Sequence, residues 1–299
     1  MPELPEAETI ARQLQRQLAG RTLGTVRLTR TDIVHGDPRP LGKLLPGRRV
    51  EQVSRRAKRV ILALDGGIEL VFRLGMTGRM IVCHAVDPVP KHTHLRITID
   101  GTSNELRFCD PRRFGGVWCL TGSERSVGKP LGEVGLEPLE VTPAAFRVVL
   151  SRRRQIKALL MDQTVIAGLG NIYCDESLHT AGIHPLTRAD TLRSERVARL
   201  LRAIRMTLRK AIRFNGSTLM DYRDADGREG SFQKLHRVYQ REGEPCRTCR
   251  TPIRRIQAAG RSTFFCPKCQ KKRRNTKTLK RIRTRSASDG SASPLSKGG

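Results

Sequence analysis

No run of apolar residues in this 299-residue chain approaches the roughly 18 that a helix needs to cross a bilayer, which excludes a helical membrane span. The opening Met-Pro-Glu-Leu-Pro-Glu has neither the basic start nor the apolar stretch of a secretory signal, so the expected setting is a reducing cytoplasm. Acids are scarce as well: 28 Asp and Glu stand against 57 Lys and Arg, a formal net charge of +29. A surface so charged attracts polyanions at long range, and nucleic acid is the expected partner. The excess is not confined to a tail, since residues 151–270 hold 24 basic against 11 acidic residues and residues 271–299 hold ten against one. No amphipathic basic helix stands out, which places acidic membrane lipid behind nucleic acid. A ribosome-associated protein acting by charge alone fits the same count, so a motif has to decide. Hydrophobic residues make up only 37%, enough for two ordinary cores once a polar tail is set aside, and no internal repeat is present.

Four of the eight cysteines stand as Cys246-x2-Cys249-x16-Cys266-x2-Cys269, a metal-ligand spacing rather than a disulfide framework. Two such knuckles make a tetrahedral structural zinc site at the base of a β-hairpin, and four protein ligands leave no open position for catalysis. The hairpin tip is expected to carry Arg254, Arg255 and Arg261, with Phe264 and Phe265 returning toward the metal, an arrangement suited to a phosphate backbone. The ribbon reads equally as a fold-stabilising clip with solvated arginines. Cys83, Cys109, Cys119 and Cys174 lie in apolar or strand-like surroundings and read as small core residues.

Leu4, Ala7, Ile10, Ala11, Leu14 and Leu18 recur at helical spacing, so a helix over 4–19 holds the N-terminus in place. Short β-rich runs follow at 22–28, 50–54, 60–64, 68–74, 95–99, 105–108 and 116–120, parted by Gly, Pro and Asp turns, and read as a two-sheet domain. Residues 132–140 break both periods like a hinge. Helix-compatible stretches come after it at 143–150, 155–161, 172–181 and 194–214. The expected class is α+β: an N-terminal β-sandwich with flanking helices over 1–131, the hinge, a helical domain over 141–240 and a β-hairpin zinc ribbon over 241–270. Residues 271–299 have almost nothing apolar to bury and are expected to form a disordered basic tail.

The segment Gly168-Leu169-Gly170-Asn171-Ile172-Tyr173 sets a Gly-rich turn before a helix ending at Gly182, and such a turn offers backbone N–H groups and an Asn amide to a phosphate. Taken alone it is also an ordinary helix–helix connection. With its continuation Asp175-Glu176 and Ala181-Gly182-Ile183-His184-Pro185, however, it closely resembles the helix-two-turn-helix of the formamidopyrimidine-DNA glycosylase and endonuclease VIII family. Pro2-Glu3-Leu4-Pro5-Glu6 resembles that family's N-terminal signature, and the likeness covers about residues 1–270. It implies a monomeric bifunctional DNA glycosylase and AP lyase of base excision repair, with one structural Zn2+. The implied partner is double-stranded DNA containing oxidised bases or abasic sites, and the implied setting is cytoplasmic, at the nucleoid if the host is bacterial.

The implied chemistry suits the residues. Once Met1 is removed, Pro2 presents a secondary α-amine, a class with an unperturbed pKa of about 7.7–8.0 against 10.4 for lysine, so far more of it is neutral near pH 7. Attack on the sugar C1′ expels the base and leaves an iminium, an electron sink that allows loss of the 3′ and 5′ phosphates by β,δ-elimination. The resemblance assigns Pro2 as nucleophile, Glu3 as general acid-base, Glu6 as a further active-site acid and Lys58 as a contact to phosphate and lesion. Asn171, Lys157, His92 and Arg261 match phosphate contacts. Met76, Arg112 and Phe114 match the residues that fill the space left by an everted base, whose unstacking otherwise costs a few kcal/mol. Without the family, Pro-Glu-Leu-Pro-Glu would merely start a helix, Lys58 would be one charge in a solvated run, and Met76 and Phe114 would be core side chains. The stretch 218–232 resembles the loop that closes over an oxidised purine such as 8-oxoguanine or a formamidopyrimidine, a loop the endonuclease VIII branch generally lacks. Tyr222-Arg223-Asp224 and Ser231 depart from its best-known forms. The alternatives left standing are an endonuclease VIII-like glycosylase for oxidised pyrimidines and a non-enzymatic zinc-ribbon nucleic-acid binder.

Overall fold

Helix α1 (Leu4–Leu18) forms where the apolar spacing places it, with all six periodic residues buried on one face and Glu6 closing a capping box at its start. The computed structural model describes residues 2–37, 41–122 and 133–272. After α1 come β1 (Leu23–Leu28), the single turn α2 (Leu41–Leu44), β2 (Val50–Arg56), β3 (Arg59–Leu64), β4 (Ile68–Arg73), β5 (Arg79–His84), β6 (Thr93–Ile99), β7 (Asn104–Cys109) and β8 (Gly116–Thr121). They pair as two four-stranded antiparallel sheets, in the orders β1-β6-β7-β5 and β2-β3-β4-β8.

Strand β5 was not expected from the sequence. It lies at a sheet edge, pairs only with β7 and buries little beyond Met80, so Arg79-Met-Ile-Val-Cys-His shows no clean alternation to read. Between the sheets, Val60, Leu62, Leu70 and Phe72 meet Leu95, Ile97, Leu106 and Phe108, and the Phe72 and Phe108 rings lie 5.6 Å apart in a tilted contact.

Residues 133–142 contain no helix or strand, yet they are not a loose tether. Leu136 donates to the Val165 carbonyl and accepts from Ala167, and a Cβ on Gly135 would sit 2.4 Å from the Val165 carbonyl carbon. Helices α3 (Pro143–Leu150), α4 (Ile156–Met161), α5 (Asn171–Ala181) and α6 (Ser194–Arg213) follow, and then the hairpin β9 (Arg254–Ala258) and β10 (Arg261–Phe265). The two large cores interlock: Leu4 of α1 packs in the helical core, while Tyr222 and Ala225 of the loop after α6 pack in the β core. Each buried side chain of this size is worth about 1.5–3 kcal/mol, so the exchange fastens the N-terminus to the second half of the chain. Of the other cysteines, Cys109 and Cys174 are buried and Cys83 and Cys119 half-buried. Among the described residues no helix is long and apolar enough to cross a membrane. The expected tail lies outside the described residues from position 273 onward.

Candidate active site and nucleic-acid interface

Pro2 and Glu3 are buried where α1 begins, against the start of α5. The Leu4 amide donates to the Gly168 carbonyl at 3.0 Å, tying the N-terminus to the Gly-rich turn. Glu3 itself caps α5: its carboxylate accepts from Gly170 N at 2.8 Å, Ile172 N at 3.0 Å and Tyr173 N at 3.4 Å. A negative group at a helix N-terminus satisfies orphan donors and meets the positive end of the helix dipole. The turn must be glycine for this approach, since a Cβ on Gly170 would lie 2.4 Å from the Glu3 carboxyl and one on Gly168 would lie 2.7 Å from Leu4. The turn was expected to offer its N–H groups to phosphate; the structure gives them to Glu3 instead.

Glu6 lies one turn deeper and is almost wholly buried. One oxygen accepts from the Glu3 amide at 2.8 Å; the other accepts from the Tyr173 hydroxyl at 2.5 Å and the Ser217 amide at 2.8 Å. Burial, and then the Glu3 charge, push its pKa up from the ordinary carboxylate value. Ser217 Oγ is in turn 3.1 Å from Nε2 of His236, whose pKa burial lowers to about 4, so the ring is neutral near pH 7 and can accept from the serine. The links of Tyr173 and Ser217 to Glu6, and through Ser217 to His236, had no signal in the sequence, because they depend on separations of 167 and 211 residues closing in space.

Lys58 stands at the β2–β3 turn, which Ala57 enters with φ +56°. The turn is anchored from behind. Arg55 pairs with Glu8 and Glu137, Arg56 pairs with Glu137, and the Ala57 amide donates to Glu137 at 2.6 Å. Burial pushes the Cys174 thiol of α5 up from its ordinary value.

Met76, Arg112 and Phe114 gather on two loops of the β domain. Asp110 joins these loops by accepting from Thr77 Oγ1 at 2.5 Å and Gly115 N at 2.7 Å, and Arg112 N donates to Thr77 Oγ1. Phe114 is 52% exposed and Met76 37%, with the Arg112 guanidinium 4.6 Å from the Phe114 ring centre. Large apolar groups held in water by a rigid frame are not the core side chains that the bare sequence suggests. His92, exposed with φ +66°, accepts through its carbonyl from Asp110 N on the same frame.

The loop after α6 folds back over α1. Gln13 donates to Asp224 at 2.8 Å and accepts from Ala225 N at 2.9 Å, Gln17 donates to Asp226 at 2.8 Å, and Tyr222 is buried beneath. The departures Tyr222 and Asp224 are thus the residues that dock the loop.

The four ribbon cysteines lie at the hairpin base, with ligand atoms all within 4.8 Å of one another, including Cys249–Cys266 at 3.4 Å and Cys246–Cys269 at 3.9 Å. Sulfurs at about 2.3 Å around a tetrahedral zinc stand about 3.8 Å apart, so the four fit that ion. Arg261 sits beside the hairpin turn, exposed, but Arg254 and Arg255 do not: they pair with Phe265 and Phe264 near the base, and Arg255 reaches Glu242 at 3.3 Å. The register explains the correction, because the turn falls at Ala259-Gly260 and leaves both arginines at the far end of β9. Both phenylalanines are buried, but only Phe264 packs with the cysteines as expected; Phe265, the next residue on β10, turns to the other face and meets His184 at 4.7 Å between ring centres. Asn171 donates to the Ser262 carbonyl at 2.9 Å, which joins the start of α5 to the hairpin.

Lys157 is a second correction. It is fully buried, its ammonium 2.7 Å from both Asp175 and Thr263 Oγ1, and so is not placed to touch phosphate. Asp175 also accepts from Phe264 N at 2.9 Å, so the pair fastens the hairpin to α5.

Profiles of known families match along the chain: the formamidopyrimidine-DNA glycosylase N-terminal domain over residues 1–117, the formamidopyrimidine-DNA glycosylase H2TH domain over 134–223, and the zinc finger found in FPG and IleRS over 243–272. A formamidopyrimidine-DNA glycosylase of Solibacter usitatus is 44% identical over 275 residues, 91% of this chain and 100% of the relative. Among solved structures, a mutant of Lactococcus lactis FPG in complex with Fapy-dG containing DNA superposes with a TM-score of 0.84 at 33% identity, covering 91% of this chain and 100% of the other. Lactococcus lactis Fpg in complex with abasic site containing DNA gives 0.83 at 33% identity, covering 90% and 100%.

Proposed function

The chain belongs to the formamidopyrimidine-DNA glycosylase family, and from that premise we propose that Pro2 and Glu3 carry out its excision of oxidised purines from duplex DNA. The observation that carries the assignment is the Glu3 carboxylate, buried beside Pro2 and fixed by three backbone N–H groups at the start of α5.

The Pro2 nitrogen donates its lone pair to C1′ of the damaged nucleoside. The bond from C1′ to the base breaks, and the base leaves as a proton is supplied to it. The sugar ring opens with Glu3 as the proton carrier, leaving an iminium between Pro2 and C1′. Loss of a C2′ proton expels the 3′ phosphate, and a further elimination expels the 5′ phosphate, so base removal and strand nicking share one intermediate. Glu6, neutralised more easily by its burial, supports the Glu3 backbone from below. Lys58, Asn171, Arg261 and His92 hold the lesion phosphates, while Met76, Arg112 and Phe114 occupy the space an everted base leaves. Zinc is structural and supplies the rigidity of the ribbon that carries Arg261.

Gly170→Ala isolates the Glu3 seat. The Gly170 φ of −129° is open to alanine, so only the new Cβ against the Glu3 carboxyl is at issue. Displacing a reacting group by about 1 Å costs roughly a hundredfold, and single-turnover excision at saturating enzyme should fall by about that factor with zinc content unchanged. An unaltered rate would remove Glu3 from the chemistry.

The docked loop at 218–232 favours oxidised purines over oxidised pyrimidines. Cleavage of an 8-oxoguanine duplex should exceed that of a thymine glycol duplex by roughly tenfold or more, the range that pocket contacts supply. The reverse order would assign the chain to the pyrimidine-directed reading.

A further inference from the structure

Helix α6 is amphipathic and basic, contrary to the expectation that no such helix would stand out, and its outer face has no part in the site above. Arg199, Arg202, Met206, Arg209 and Arg213 recur at spacings of three and four residues, with Lys210 beside them, and all six are exposed. Some surface arginines are paired, as in Arg12 with Glu8, Arg188 with Asp190 and Arg241 with Glu244, and others such as Arg152, Arg153 and Arg250 stand singly or in twos; what sets this row apart is its length on one helix face. Among the described residues none of the five cations of this row forms an ion pair. From Arg199 to Arg213 the row runs for about 21 Å along the helix, at 1.5 Å per residue. It borders an open groove of about 910 Å³ closed on the other side by Arg12 of α1 and Leu139.

None of Lys58, Met76, Arg112, Phe114, Asn171 or Arg261 lines this groove. On α1, Glu6 turns to the active site and Arg12 to the groove, and six residues place them about 120° apart around the helix. A row of unpaired cations on a rigid support is matched by a phosphate backbone, of which about 21 Å of duplex axis presents about a dozen charges. A membrane would require an apolar stripe to bury, and this face offers Met206 alone. A protein partner would require an aromatic or aliphatic anchor pocket, whereas six of the nine residues lining this groove are arginine or lysine and its apolar members, Leu139, Met206 and Ile212, include no aromatic ring.

We propose that the outer face of α6 is a second, sequence-independent DNA-binding surface that holds an undamaged duplex segment while the active site engages another. The choice of DNA as the polyanion rests on the repair reading; the position of the surface does not. Two duplexes on one molecule let the enzyme pass between segments without full release.

The test compares the full chain with its Arg202→Ala/Arg209→Ala/Arg213→Ala variant, all three exposed positions outside the active site. Each protein is trapped with borohydride on an 8-oxoguanine duplex and then titrated with a labelled undamaged duplex at several salt concentrations. The unsubstituted adduct should bind the second duplex. In the variant that affinity should drop by roughly tenfold or more and the salt slope should fall by about 2.7, at about 0.9 per phosphate contact, with single-turnover excision unchanged. Residues 273–299 are common to both proteins, so the difference reads α6 alone. Equal second-duplex binding by the two adducts overturns the proposal, as does absence of any ternary complex. Competition by poly-glutamate stronger than by duplex of equal charge overturns DNA as the partner in favour of an acidic protein. Failure to trap counts against the repair chemistry; the same titration on the free proteins then decides the surface, and equal salt slopes would overturn it.

Discussion

Protein that begins at Pro2, mixed with an 8-oxoguanine duplex and borohydride, is expected to form an irreversible protein–DNA adduct whose DNA-linked peptide is the N-terminal one. Reduction captures only an iminium, and an iminium requires a neutral amine at the sugar. At pH 7 roughly one in ten α-amines of unperturbed pKa is neutral, against fewer than about one in a thousand lysine side chains. Protein that retains Met1 should not be trapped there. Pro2→Gly replaces a constrained secondary amine by a mobile primary one, and excision should fall by roughly a hundredfold or more, the scale of a 1 Å misplacement. Glu3→Gln should lose base excision but retain nicking at a preformed abasic site, whose sugar already exchanges with its open aldehyde and needs no proton from Glu3 to open. Adducts on an internal lysine such as Lys58, with Pro2 unmodified, would reassign the nucleophile. Absence of any adduct with oxidised bases would point to a binding protein.

Cys266→Ser is expected to release the zinc and abolish tight duplex binding while the β-sandwich stays folded. Structural zinc in small ribbons contributes about 10–16 kcal/mol of folding free energy at neutral pH, far more than the few apolar contacts of Val238, Ile253 and Phe264 around this site can replace. Arg261 would lose its support, and the contacts of Thr263 with Lys157 and of Ser262 with Asn171 would go with it. No ribbon residue belongs to the core between the sheets or to the separate cluster of Val71, Trp118 and Leu120, so the single tryptophan, Trp118 on β8, should keep its native emission. Arg261→Ala should retain zinc yet lose affinity for DNA. Removal of the metal by a strong chelator without loss of binding or nicking would refute a structural ribbon in DNA contact.

What the sequence made legible was what repeats locally or is spaced by a ligand's geometry. The apolar period of α1, the strands of both sheets except β5, and the cysteine pairs 246/249 and 266/269 all declare themselves within short windows. The environment of the active site did not, because it is made by long-range closure: Glu3 meets Gly170 across 167 residues and Gln13 meets Asp224 across 211. Gly168 and Gly170 showed as a phosphate-type turn, and only the fold reveals that a carboxylate of the same chain occupies it. Lys157 illustrates the opposite error. A lysine is expected at the surface, and nothing in its neighbours announces that Asp175 and Thr263 will enclose it. Along α6 the alternation of arginine with leucine and alanine was present to be read, but the chain's overall charge masked it.

The seat of Glu3 also sets an order of events during synthesis. Pro2 and Glu3 leave the ribosome early, whereas Gly170 follows Glu3 only after 167 further steps of synthesis, roughly ten to thirty seconds later at about 5–20 residues per second, and Ile172 and Tyr173 come just after it. Ser217, which holds Glu6, comes later still. Until then the nascent chain has its amine but no helix terminus to fix the acid beside it. On the assignment of Pro2 and Glu3 proposed above, a polypeptide interrupted before α5 would carry the amine without the seat that fixes its acid.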